Sequence, residues 1–162
     1  VDALAALRRR DAMLAIVGDG PQREALERDV AALGLVGSVR FAGQQRDVAP
    51  WLAAFDAFVL PSTANEGVPQ ALLQAMFAGV PCVTTAVGAI PEIARDGDTA
   101  LVVPPADPAA LAAAIDRLLD DRALGARLAA NARAFVAPRF GLSTMLDRME
   151  AVFRRALEEA KR

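Results

Sequence analysis

The sequence predicts an α/β fold built on a doubly wound parallel sheet, and three observations carry that expectation. Short apolar runs at 13–17, 38–42, 56–60 and 101–103, and one ending at Val83, alternate with segments of helical spacing, as βαβ units require. The run 13–17 is continuous rather than alternating, which suits a parallel sheet covered on both faces. Residues 58–92, reading FVLPSTANEGVPQALLQAMFAGVPCVTTAVGAIPE, contain one complete β-loop-α-β unit with its polar chemistry in the loops. Such alternation is that of a Rossmann-like domain.

A length of 162 residues suits one domain or part of a larger one and can bury a sizeable core. Hydrophobic content of 54%, swollen by alanine, against 23% charged residues indicates a soluble globular chain rather than a disordered one. A net charge of -2 offers nothing to nucleic acid. No run of about eighteen apolar residues predicts a transmembrane helix, and no signal peptide is read. The chain is read as opening inside a helix at Val1, so the native N-terminus and any localisation signals are expected upstream. The expected location is cytoplasmic, with the parent protein at the inner face of the membrane left open. One cysteine forbids an internal disulfide, and Cys82 reads as a small buried hydrophobe. The absence of histidine excludes Ser-His-Asp catalysis and histidine-based metal sites.

Residues 1 to about 10 read as the tail of an amphipathic helix whose arginines, Arg8 to Arg10, form a solvated, dipole-favoured end. After the first strand, Gly18-Asp19-Gly20-Pro21 turns into a helix carrying Leu26, Val30 and Leu33, with Asp19 as a candidate cap and Gly34 as its stop. Gly18 and Gly20 would let a nucleotide approach the backbone, although a tight turn explains them equally well. The strand 38–42 ends in a Gly43-Gln44-Gln45-Arg46 loop, at the sheet end where ligands bind in doubly wound folds. Phe41 can stack on a base or sit in the core. Residues 47–55 make a short helix with Trp51 against the sheet.

In the central unit Pro69 fits the first helical position and Gly79 the C-cap, so the helix is expected at about 69 to 78. Gln70, Gln74 and Phe77 fall at i, i+4 and i+7, a polar face able to look into a cleft, while Leu72, Leu73 and Met76 crowd another. Glu66, Gly67 and Val68 precede the helix, where unpaired amides and the helix dipole favour an anion or sugar oxygens. A main cleft lined by Glu66, Gly67 and Gln74 is expected. After the strand ending at Val83, residues 84–91 form a loop in which Gly88 allows unusual backbone angles. Glu92 reads as a cap or a partner of Arg95. Asp107 and Pro108 open a helix, another follows, and Pro138 breaks the chain. A final helix from 142 to about 160 presents Leu146, Met149, Phe153 and Leu157 on one stripe.

These residues carry a resemblance. EGVPQALLQAM at 66–76, followed by AGVPCVTT, GAIPEI and DGDTALVVPP, with IVGDGP nearer the start, is similar to the donor-binding C-terminal domain of the retaining GT-B glycosyltransferases of family 4. The resemblance implies transfer of a sugar from a nucleotide-sugar to an acceptor with retention at the anomeric carbon, without metal or cofactor. Those enzymes carry two glutamates separated by seven residues; the first is Glu66 here, and the second position is Gln74. On this pattern Glu66 binds sugar hydroxyls as the catalytic-site carboxylate, and the donor-binding segment Gly67, Val68, Pro69 and Gln70 supports sugar or phosphate through its backbone N–H groups, of which Pro69 has none. Gln74 reaches the ribose, and the segments of Gly18, Gly20, Phe41 and Gly43 face the nucleotide. An amide has one acceptor oxygen and two donor hydrogens, so Gln74 should hold the ribose more weakly or differently than a carboxylate.

The family pattern also places a strand, a Gly-rich loop, an arginine and a lysine before the helix that opens here, so the first strand of the sheet is expected to be missing. The expected organisation is a nucleotide-sugar-binding domain over 1–140 and a C-terminal helix over 141–162 that packs toward an absent N-terminal domain or on its own domain. The partners expected are a nucleotide-sugar and an acceptor held by that other domain, with the isolated chain inactive. Peripheral membrane association of the parent and self-association through strands left unpaired stay open. A non-catalytic nucleotide-sugar-binding module or degenerate GT-B homologue is the alternative. A phosphoacceptor receiver domain needs a lysine beside clustered aspartates, and the sole lysine is Lys161 in the tail.

Overall fold

Leu-Ala-Ile-Val at 14–17 has no charged side chain to solvate and forms β1 (Leu14–Val17), which runs parallel to β2 (Val39–Gly43). The computed structural model describes residues 1–9, 11–64 and 66–160. Arg10 of the basic helix end and the last two residues of segment 141–162 therefore lie outside the described residues. Register is Leu14 on Val39 and Ile16 on Phe41, then slips so that Val17 meets Gly43, whose φ of 66° absorbs the irregularity.

A second parallel sheet has the order β3-β4-β5, from Phe58–Leu60, Cys82–Thr85 and Leu101–Val103. The doubly wound pattern is thus present in two pieces. Among the described residues β1 pairs only with β2 and β3 only with β4, so each keeps one edge without a strand. One expectation is corrected: β1 is half-buried along its length and Met13 is 68% exposed, because a strand with an open edge lacks the double cover of a central strand.

Strand β4 shows what full cover looks like. Cys82 joins one apolar cluster with Leu72, Met76, Ile90 and Val136, while its neighbour Val83 joins another with Leu101, Leu118 and Leu128. Alternate side chains of a strand point to opposite faces, so both faces of β4 are packed. Each fully buried leucine, methionine or valine there contributes about 1.5 to 3 kcal/mol. The helices supplying these side chains are α4 (Gln70–Ala78), α5 (Pro108–Asp120) and α6 (Arg122–Phe140).

The remaining helices are α1 (Asp2–Ala6), α2 (Arg23–Ala32), α3 (Ala49–Ala54) and α7 (Leu142–Glu159). Arg8 is not simply solvated, since its backbone N–H and Nε both donate to Asp116 of α5 at 3.1 Å and Nη2 donates to Asp120 at 2.5 Å. Asp107 caps α5, accepting from the Ala110 N–H at 2.9 Å, with Pro108 at the first helical position.

Other local expectations are corrected. Asp19 does not cap α2; its carboxylate turns back onto the Gly20 N–H, and Gln22 holds the N-cap position because the Pro21 turn intervenes. Pro138 does not break the chain. Helix α6 runs through it to Phe140, held by the packing of Ala132 and Val136, and stops where Gly141 turns extended. Trp51 of α3 does face the sheet as expected, beneath the Arg40 guanidinium of β2, 5.6 Å from the ring centroid. Along α7, Leu142, Met145, Leu146, Met149, Phe153 and Leu157 are all exposed, so its apolar stripe is not docked on its own domain.

Candidate functional site

Beyond Leu60 the chain leaves β3 into the loop that carries Glu66. Two threonines of β4 fix that exit: Thr84 Oγ1 donates to the Leu60 carbonyl at 3.0 Å and Thr85 Oγ1 to the Ser62 carbonyl at 2.5 Å. Ser62 Oγ in turn donates to Glu66 Oε1 at 2.5 Å. Both threonines are buried, and Glu66 is half-buried. The carboxylate is therefore anchored through one oxygen and keeps hydrogen-bond capacity on the other, since an ionised carboxylate offers about four lone-pair sites.

The Glu66 backbone is fixed from a second direction. Its carbonyl accepts from the Ala89 N–H at 2.9 Å, which joins the loop before α4 to the loop after β4. Past Glu66, Gly67 is exposed and Val68 packs on the large apolar cluster. Helix α4 begins at Gln70, one residue later than expected, because Pro69 is extended (φ -72°, ψ 121°) and serves as the N-cap. Proline has no side-chain oxygen, so α4 is uncapped. The first-turn amides of exposed Gln70 and Ala71 have no intrahelical acceptor and face the positive end of the dipole. The arrangement can accept hydrogen bonds from hydroxyls at Glu66 and donate them to oxygens at the start of α4.

Gln74 is exposed, and among the described residues its amide makes no hydrogen bond. Phe77 departs from the expected polar face: it is half-buried against the apolar cluster, because that side of α4 already rolls onto α3 and the sheet. Glu92 is exposed and makes no ion pair with Arg95, whose guanidinium lies 4.3 Å from the Phe135 ring centroid instead.

At the end of β1 and β2 the structure brings Gly18 and Gly43 together. The Gly18 N–H donates to the Gly43 carbonyl at 2.8 Å, with Gly18 at φ 125°. Gly20 is exposed, and an added side chain there would meet nothing within 4 Å. Phe41 is half-buried beneath Arg23, 5.7 Å from its ring centroid. Arg23 was not singled out from the sequence. It stands in the first turn of α2, pairs with Glu27 at 2.9 Å and lies 3.8 Å from Asp19. Its position just after Gly-Asp-Gly-Pro was the available signal. Ser62 was missed as well; four residues before Glu66 in the polar loop, it could have been read as a partner of that carboxylate.

Two cavities, of about 310 Å³ between α1 and α5 and about 170 Å³ near Pro61, Thr85 and Val103, are lined by neither Glu66, Gly67 nor Gln74. Those three residues form an open ledge, half-buried at Glu66 and exposed at the other two, and among the described residues no strand joins β1 to β3. Among the described residues no group of three or more acidic or cysteine side chains could hold a metal ion. No helix there is long and apolar enough to cross a membrane.

A family profile described as Glycosyl transferases group 1 matches residues 1–121. The lipopolysaccharide core biosynthesis glycosyltransferase LpsE of Rhizobium meliloti is 34% identical over 132 residues, covering 82% of this chain and 38% of its own length. The chain thus spans less than half of that relative. HepE of Anabaena, solved in complex with UDP-glucose, superposes with a TM-score of 0.91 at 28% identity, over 95% of this chain and 43% of its own. The C-terminal domain of the group 1 glycosyl transferase LpcC of Francisella tularensis superposes with a TM-score of 0.76 at 27% identity, over 87% of this chain and 76% of that domain. The chain belongs to the group 1 glycosyl transferases and has the fold of a GT-B C-terminal domain.

Proposed function

We propose that this chain is the donor-binding domain of a retaining GT-B glycosyltransferase of family 4, which moves a sugar from a nucleotide-sugar to an acceptor held by a further domain. The observation that carries the reading is the Thr85–Ser62–Glu66 chain of hydrogen bonds, which holds a half-buried carboxylate beside the uncapped start of α4. Glu66 accepts from sugar hydroxyls, and the amides of Gly67, Val68 and Gln70 donate to sugar or phosphate oxygens. Gln74, one side of α4 away, meets the ribose. Gly18, Gly20, Phe41 and Gly43 flank the nucleotide. A relative solved with UDP-glucose supports a nucleotide-sugar as the ligand class. Neither metal nor cofactor enters this scheme, and the working location is the cytoplasm.

A charge-assisted contact to a hydroxyl is worth about 1.5 to 3 kcal/mol, so Glu66→Ala in the complete parent enzyme should lower kcat/KM at least about tenfold. Unchanged turnover by a folded variant would reject the assignment. A second reading, a nucleotide-sugar-binding module without transfer activity, is favoured by Gln74 standing where the family pattern has a glutamate. Donor turnover by the parent separates the two.

A further inference from the structure

We propose that Gly88 is a positioning residue for Glu66, setting where the carboxylate stands without touching the ligand itself. The inference rests on the reading of Glu66 given above. Gly88 has φ 55°, a left-handed conformation that side-chain-bearing residues rarely adopt. Its α-carbon lies directly against the Glu66 main chain. A methyl group added there would overlap the Glu66 carbonyl oxygen and come within 2.8 Å of its carbonyl carbon and 2.9 Å of its amide nitrogen. Those are backbone atoms, which cannot swing aside as a flexible side chain can.

The next residue adds an attractive half to this steric one, since the Ala89 N–H donates to the Glu66 carbonyl at 2.9 Å. The segment is itself anchored: Ile90 is fully buried, and its N–H donates to the Val87 carbonyl at 3.1 Å. Glu66 is thus held on three sides: Ser62 grips its carboxylate, Ala89 its carbonyl, and Gly88 leaves room for its backbone. Displacing a substrate-binding group by about 1 Å can cost two orders of magnitude in rate.

Gly97 provides the control. It also has positive φ (69°), yet an added methyl group would meet nothing within 4 Å. Gly88→Ala and Gly97→Ala therefore impose the same kind of conformational strain, and only the first pushes Glu66. In the full-length parent enzyme Gly97→Ala should keep kcat/KM for the donor within about twofold, whereas Gly88→Ala should lower it at least about tenfold. Because Gly88 acts through Glu66, the double variant Glu66→Ala/Gly88→Ala should match Glu66→Ala within about twofold rather than multiply the losses.

Should Gly88→Ala fail to fold, Ala89→Pro replaces the N–H donor with a ring methylene that faces the same Glu66 carbonyl, and should reduce kcat/KM at least about threefold, again without effect on top of Glu66→Ala. A crystal structure of the folded variant shows directly whether the Glu66 main chain has moved. Gly88→Ala as active as Gly97→Ala while Glu66→Ala is impaired would overturn the positioning role. An unimpaired Glu66→Ala beside a displaced Glu66 in the Gly88→Ala crystal would instead reject the sugar-binding reading and leave the geometry standing.

Discussion

Cys82 makes the fold testable by pH. It is fully buried at the start of β4, its thiol donates to the Val80 carbonyl at 3.2 Å, and burial pushes its pKa up to about 12 from the usual 9.0. The native state therefore keeps a proton that the unfolded chain releases above pH 9. Stability from this source is fully present below the unfolded pKa and is lost as pH rises from 9 toward 12. Each tenfold difference in proton affinity between the folded and unfolded chain is worth about 1.4 kcal/mol, so the loss should reach roughly 2 to 3 kcal/mol by pH 11.

The composition makes the experiment clean, since the chain has no tyrosine, no histidine and the single lysine Lys161. Urea unfolding followed by circular dichroism at pH 8, 9.5 and 11 gives the slope, and Cys82→Ala supplies the control. The variant starts less stable but should show almost no fall above pH 9. Ellman's reagent should react with the native thiol no faster than the chain opens. An equal alkaline slope in Cys82→Ala would refute the assignment, and immediate thiol labelling at pH 8 would show that β4 is not buried.

Asp107→Ala removes the cap of α5 and should cost about 1 kcal/mol in chemical denaturation. Phe153→Ser, on the exposed stripe of α7, should change unfolding free energy by no more than about 0.5 kcal/mol, whereas a larger loss would mean that α7 docks on this domain. Gln74→Glu should leave donor affinity in the parent enzyme unchanged or tighten it, as judged by calorimetry, because the exposed amide has no internal partner to lose. A large loss of affinity would show that the amide has a ligand contact of its own.

Where local chemistry alone decides an element, the sequence was sufficient. Asp107-Pro108 names its own helix start, Gly79 its own C-cap (φ 76°), and the runs expected at 56–60 and 101–103 supply strands at 58–60 and 101–103. Errors arose where tertiary packing outweighed a local rule. Pro138 breaks helices in isolation, yet α6 is held on either side of it by Val136 in the core and by an Arg139 Nη1 donation to the Phe135 carbonyl at 2.9 Å. Arg95 and Glu92 are close enough in sequence to pair, but the Phe135 ring, forty residues on, claims the guanidinium.

At the site Glu66 was legible from its place before a proline-opened helix. Its supports were not. The freedom of Gly88 could be read from its residue type, but what it leaves room for could not. Ser62, Thr85 and Gly88 become a unit only when β3 and β4 pair, with Phe58 on Cys82 and Leu60 on Thr84. The same limit hid Arg23, which reaches Phe41 through the β1–β2 register.

The central claim is that the loop from Glu66 into α4 binds the donor. Titrating the amide-labelled chain with uridine, guanosine and adenosine diphosphate sugars, followed by nuclear magnetic resonance, tests it most directly. If, as proposed, an acceptor domain and charged contacts to the diphosphate worth about 1.5 to 3 kcal/mol each lie outside these residues, affinity should be weaker than micromolar. One of the three sugars should still shift the amides of Gly67, Val68 and Gln70 in a saturable way, and the shifts should vanish in Glu66→Ala. Saturable shifts elsewhere with that loop silent, or no saturable shift with any of the three, would contradict the account.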